Sequence, residues 1–296
     1  MRPAAEAGFI YDIGYQRYEG ARLGRGYAFR SLFTHSLRQA WGLGRGGRTL
    51  VVPLGIFAII LLPALLQVLL DTVSNGQAKL LGYADYFTYV QMMVVLFCAA
   101  QAPELVSTDQ QNRVLPLYFS RALRRTDYAA AKLLAMVAAL WILVLVPMAV
   151  LFLGRISAAA DVGAALRVER ASLVPVLAST LAVAAVMGSI SVALASFTAR
   201  RGLASASIFG MVVLTTAVSA ILRETVGGPG AYATLLSPLR VLGGVIRRLF
   251  KVPEPTPRGA AVVAEVLTAT HYGAAALALV ALAVSALFLR YRRVSA

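Results

Sequence analysis

Residues Leu133 to Gly154 read Leu-Leu-Ala-Met-Val-Ala-Ala-Leu-Trp-Ile-Leu-Val-Leu-Val-Pro-Met-Ala-Val-Leu-Phe-Leu-Gly, without a single charge. A helix needs about 20 apolar residues to cross a hydrocarbon core of about 30 Å. This stretch therefore predicts a membrane span. Five further charge-free runs match it: Leu50–Leu70, Tyr86–Pro103, Leu173–Phe197, Leu203–Leu222 and Tyr272–Leu289. All six runs are 18 to 25 residues long. In lipid the backbone amides and carbonyls find no water, and a helix satisfies them internally. The fold class is thus an all-α integral membrane protein with six transmembrane helices. With their flanks the spans cover about 50–70, 86–106, 130–154, 173–199, 202–222 and 260–290. Pro53, Pro63, Pro147 and Pro175 lie inside spans and predict bends. The fourth and fifth spans are rich in Ala, Ser, Thr and Gly, which lets helices pack closely.

Composition agrees. The 296-residue chain is 59% apolar and 14% charged, against about 45–50% and about 25% for a soluble domain. The net charge is +15. Such a surplus raises nucleic acid as a partner. Basic loops that orient a membrane protein account for it, so no nucleic acid is expected. Cys98, the one cysteine, lies within a span, so the chain forms no internal disulfide and shows no zinc pattern. With the N-terminus inside, 18 of the 28 Lys+Arg fall in residues 1–49, 104–132, 198–202 and 290–296. The excess predicts a multi-pass protein of the cell membrane with both termini in the cytoplasm. The last outer segment, residues 223–271, runs against the trend with Arg223, Arg240, Arg247, Arg248, Lys251 and Arg258.

The second and third spans are joined by Ser107 to Tyr128. This segment holds Arg113, Arg121, Arg124 and Arg125 but only Asp109 and Asp127 as acids. Leu115, Leu117, Tyr118, Phe119 and Leu123 interrupt the charges. The pattern predicts a short helix lying flat under the membrane or docked on a partner. Residues 1–26 lack the apolar core of a signal peptide. They predict a cytoplasmic arm that packs on the protein's own face or stays loosely ordered. Residues 27–43 predict an amphipathic helix. Phe29, Leu32, Phe33, Leu37 and Trp41 would face lipid, with Arg30, Thr34, Arg38 and Gln39 elsewhere. Gly42, Gly44, Gly46 and Gly47 end it. In the outer segment, Leu239, Leu242, Val245, Ile246 and Leu249 form an apolar stripe opposed by Arg240, Arg247 and Arg248. This predicts a short interfacial or re-entrant helix whose basic residues suit anionic lipid heads. Pro253, Pro255 and Pro257 break it, and the last helix is expected from about Gly259.

Ionisable residues mark span ends: Asp71, Asp85, Glu104, Glu265 and His271. Glu104 is expected as an interfacial charge within reach of Arg113, Arg121 or Arg124. A nucleotide-binding phosphate loop needs Gly before its Lys. The chain's three lysines, Lys79, Lys132 and Lys251, follow Ala, Ala and Phe. The metalloprotease and serine-hydrolase motifs are absent, and His35 and His271 fall on opposite sides of the membrane. No catalytic site is expected.

The chain resembles the permease subunits of ABC transporters of the type-2, exporter-like kind. The resemblance covers the arm, the elbow helix, six spans and the outer segment. It is carried most by Glu104, the polar stretch Asp109–Arg113, the short helix Leu115–Phe119, the basic turn Arg121–Arg125, then Tyr128 and Lys132. Ala122-Leu123 departs from the family, where a Pro is common. Arg-Leu-Gly-Arg at residues 22–25 resembles actinobacterial members. The resemblance implies two permeases, identical or related, on two separate ATPase subunits that hold the ATP and Mg. It makes residues 109–122 a coupling helix. The contact set would be Asp109, Arg113, Leu115, Leu117, Tyr118, Phe119, Arg121, Arg124 and Arg125. Arg200 and Arg201, in the turn Thr198–Gly202, would make a second contact, and Glu104 is the inner-end acid. The cargo it implies is hydrophobic or amphiphilic: a lipid, peptide or drug for export. A secondary transporter without ATP and a membrane scaffold are the alternatives. The first would place carboxylates near the midplane. The second fits the loops equally well.

Overall fold

Six helices are long and apolar enough to cross a membrane. The computed structural model describes residues 20, 23–44, 46–74, 81–120, 123–159, 161–226, 228–252 and 267–293. Regular structure among these residues is entirely helical. Most of the N-terminal arm, Arg121, Glu265 and the expected start of the last span lie outside them.

In order the helices are α1 (Arg25–Ala40), α2 (Val51–Val73), α3 (Tyr83–Leu105), α4 (Ser107–Gln111), α5 (Leu115–Phe119), α6 (Arg125–Ser157), α7 (Val162–Ser196), α8 (Arg201–Thr225), α9 (Pro238–Leu249) and α10 (Ala269–Arg293). A short 3-10 turn at Gly47–Leu50 leads into α2, and another at Gly228–Leu236 leads into α9. α1, α4 and α5 gather at one end of the bundle, here the proximal end. α9 sits at the distal end.

α6 and α7 have 33 and 35 residues. At about 1.5 Å per residue each is longer than a bilayer core. Residues 155–172, expected as a loop, are therefore mostly the ends of these two helices. Asp161 caps α7, its carboxylate accepting from the amides of Gly163 (2.8 Å) and Ala164 (3.1 Å). The helices continue through Pro63, Pro147 and Pro175.

α3 is the enclosed helix. In its most apolar window 67% of residues are buried, against 17% for α8 and for α10. α3 packs on α7, α8 and α2, while α6 lies along α7. Polar links cross the apolar core: the Tyr86 hydroxyl donates to the Ile60 carbonyl (2.6 Å), and the Trp141 indole to Thr180 Oγ1 (3.2 Å). Leu62, Leu66, Leu214, Ile221, Leu277 and Leu282 on α2, α8 and α10 point outward and form an exposed apolar surface of the kind that suits lipid.

α1 forms as expected, but its apolar face meets protein. Leu32 is buried, and Phe29, Phe33 and Leu37 pack on the core. α1 lies on α6 and touches α3. Trp41 sits between Phe57 and Phe97, each ring centroid 5.7 Å away. The sequence pattern shows that a face is apolar and not whether lipid or a neighbouring helix covers it. Gly42 closes α1 with φ +70°, while the amide of Leu43 donates to Arg38 (2.8 Å) and that of Gly42 to Gln39 (2.9 Å). A Cβ on Gly42 would lie 2.4 Å from the Thr49 carbonyl oxygen, so the doubling back of the chain requires glycine.

A similar close approach joins α2 to α6. A Cβ on Gly154 would lie 2.2 Å from Val68 Cγ2. Valine is stiff at χ1, so a backbone must move. Gly154→Ala is expected to cost about 1–3 kcal/mol, read as a lower thermal midpoint in detergent. Gly210→Ala, in α8 with open space around it, leaves the midpoint unchanged or raises it. Equal midpoints for Gly154→Ala and the native chain would show that this packing is loose.

Candidate functional site

The loop after the second span is built down onto the bundle. α3 stops at Leu105 and the backbone breaks at Val106 (φ −120°). Ser107 donates to the Ala195 carbonyl (3.0 Å), tying α4 to the end of α7, and Thr108 donates to the Pro103 carbonyl (3.3 Å). Asp109 is thereby turned inward. Its carboxylate meets the Lys132 ammonium at 2.8 Å and accepts from the Tyr128 hydroxyl at 2.9 Å. The Lys132 side chain is 1% exposed. Tyr128 and Lys132 are four residues apart on α6, hence on one face. An ammonium taken out of water costs several kcal/mol unless it is closely paired and hydrogen-bonded. Both conditions are met.

Aromatic rings close over this pair. The Tyr128 ring lies 5.2 Å from Tyr291, 5.6 Å from Tyr118 and 6.0 Å from Phe119. Gln110 donates to the Ser196 carbonyl (2.9 Å) and to the Tyr291 hydroxyl (3.3 Å). The loop therefore touches α6, α7 and α10 at once. Burial pushes the Tyr118 hydroxyl pKa up, and the Asp109 carboxylate adds to the rise.

α5 rides on top. Leu115 is buried, Tyr118 and Phe119 are half-buried on Tyr128, and Pro116, Leu117 and Ser120 face outward. Leu117 is 67% exposed. The short helix expected at Leu115–Phe119 is present as α5, and the segment 109–122 holds the end of α4 before it, because Arg113 adopts φ +53° between the two. The Val114 amide donates to Asp109 (3.1 Å) and the Arg113 amide to Gln110 (3.2 Å), a left-handed cap on α4. The Arg113 side chain is exposed, in a backbone region that L residues rarely adopt.

The remaining expected residues divide by role. Glu104 pairs with Arg201 at 2.6 Å, an arginine outside the set expected for it. α8 begins at Arg201 and packs beside α3, which carries that guanidinium over the end of α3. Arg201 also donates to Thr108 Oγ1 (3.1 Å), and Gln39 of α1 donates to the Glu104 carbonyl (2.6 Å). Arg200 is exposed. Arg124 is exposed, and its amide donates to Asp127 (3.1 Å) at the start of α6. Arg125 lies 5.8 Å from the Phe119 ring and donates to the Arg292 carbonyl (3.3 Å). Arg25 of α1 grips Asp127 through two hydrogen bonds of 2.5 and 2.6 Å, which raises the Arg25 pKa.

Tyr291 and Arg25 are members that sequence reasoning did not connect with this loop, and Tyr128, Lys132 and Asp127, though noted there, were given no partner. One signal was available: a lysine entering a charge-free run needs a carboxylate, and Asp109 is among the few nearby. Among the described residues no group of three or more His, Cys, Asp and Glu could hold a metal. No protein-family model matches the chain, and no curated protein matches it. The chain is a multi-pass membrane protein whose loop after the second span is clamped to its helix ends.

Removing one member of the buried pair strands the other. Lys132→Met is expected to destabilise the chain by about 3–5 kcal/mol. Adding Asp109→Asn should recover more than half of that loss. Thermal unfolding in detergent measures both. Additive losses in the double variant would show that the two groups do not interact.

Proposed function

We propose that this chain is the permease subunit of an ABC transporter, moving a hydrophobic or amphiphilic cargo outward with ATP hydrolysed by separate ATPase subunits. The observation that carries this reading is the mounting of α5. A short helix offers Leu117 and Pro116 to a partner, with Arg113 in the turn before it, while its other face is bolted through Tyr118 and Phe119 to Tyr128. A push on α5 reaches α6 through Tyr128, α10 through Tyr291 and α3 through α4. Such a mount suits a two-state movement of the spans biased by a bound partner. In this reading the proximal end faces the cytoplasm of a cell membrane, with both termini on that side. A second permease, identical or related, covers part of the outward apolar surface of α2, α8 and α10.

Gentle extraction of the tagged chain from its native membranes should bring down an ATPase. Leu117→Asp places a charge on the exposed face without touching the anchors and should abolish that capture. Arg113→Gly keeps the left-handed turn and should weaken capture several-fold through the side chain alone. An ATPase that is absent from the native chain's pull-down, or captured equally by Leu117→Asp, would sink the reading.

Orientation has its own check. Cys98 is fully buried and should be silent to an impermeant maleimide. Ser120→Cys should label only from the cytoplasmic side, and His271→Cys only from the opposite side. The reverse pattern would invert the assignment.

A further inference from the structure

The distal end carries a second feature of different chemistry. α9 is pressed onto the bundle, with Gly244 so close to Tyr272 that a Cβ would lie 2.3 Å from its ring. Arg240 and Arg247 are seven residues apart, which puts them on one face of α9. Both line a cleft of about 580 Å³ between α9, α3 and α8. That volume falls within the about 300–1,000 Å³ range of small-molecule sites. Thr88 and Gln91 of α3 and Thr216 of α8 line it, together with Met92, Val212 and Val213.

Among the described residues, one guanidinium of this cleft is incompletely answered by the protein. Arg240 Nε is buried and has no hydrogen-bond partner. Burial lowers the Arg240 pKa, Arg223 lowers it further, and Glu224 opposes them. A guanidinium does not give up its proton in a protein, so the charge persists where solvation is reduced. Arg247 holds Asp85 at 3.4 Å, and that carboxylate side chain is 44% exposed. The Arg247 side chain is 17% exposed and lines the cleft beside Arg240. Two guanidiniums on one face present planar donor forks that match phosphate, sulfate or carboxylate. The apolar wall beyond them opens sideways, with Met92 47% and Val213 42% exposed.

We propose that this cleft binds an anionic amphiphile, with Arg240 and Arg247 clasping the head and Met92, Val212 and Val213 flanking the chain. The site does not rest on ATP coupling, since its ligand is recognised by α3, α8 and α9 alone. Failure of the ATPase pull-down leaves it standing, and its failure leaves the permease reading standing.

The test uses the full chain in a maltoside detergent. Equilibrium binding is compared for phosphatidylglycerol, phosphatidylcholine with the same acyl chains, and inorganic phosphate. Phosphatidylglycerol should bind about tenfold more tightly than phosphatidylcholine, a difference of about 1.4 kcal/mol. Arg240→Gln should erase that preference, Arg240→Lys should retain part of it, and Arg292→Gln at the proximal end should leave it intact. Equal binding of the two lipids, or an unchanged preference in Arg240→Gln, overturns the proposal. So does inorganic phosphate binding as tightly as phosphatidylglycerol, because the apolar wall would then be idle. If Arg240→Gln loses its thermal transition, Val213→Trp at the exposed wall decides. It should block the lipid, and undiminished binding overturns the proposal.

Discussion

The ion pair between Lys132 and Asp109 is the constraint on which the proximal end depends. Lys132 stands on α6 one turn inside Tyr128 and is shut off from water. A lone ammonium there would be untenable. α4 must therefore bring Asp109 to it, and that requirement fixes where the connection between α3 and α6 runs. Once Asp109 is placed, Gln110 reaches α7 and α10, and the left-handed turn at Arg113 sets α5 over Tyr128. The surface left exposed on α5 follows from what is buried beneath it.

Two further ion pairs repeat the device. Arg25 with Asp127 ties α1 to α6, and Arg201 with Glu104 ties α8 to α3. These pairs are partly exposed, and pairs of that kind add little to stability. Their effect is on geometry: they hold four helices in register around the loop. The distal end is arranged differently. There α9 is held by apolar packing of Leu239, Leu242 and Ile246, and Arg240 and Arg247 line a cleft beside α3 and α8. The proximal end is braced by ion pairs between helices, while at the distal end a buried nitrogen of Arg240 has no hydrogen-bond partner.

Hydropathy alone determined the six spans, because a lipid environment forbids charge and demands a helix over a fixed length. The amphipathic character of α1 and α9 was legible too, since spacing at 3.6 residues is a local property. The basic, leucine-containing character of residues 107–128 was readable for the same reason. What covers an apolar face was not. The face of α1 that suits lipid is covered by α6 and α3. Charge pairing was not readable either. Glu104 has several arginines nearby in sequence, yet its partner Arg201 lies 97 positions along the chain. Only the packing of α8 beside α3 makes them neighbours. Asp109 looked like part of an exposed segment, because sequence shows a polar residue in a polar stretch and not the lysine folded beneath it. Composition and periodicity act within one helix, whereas burial and pairing belong to the spaces between helices, which the tertiary structure alone decides.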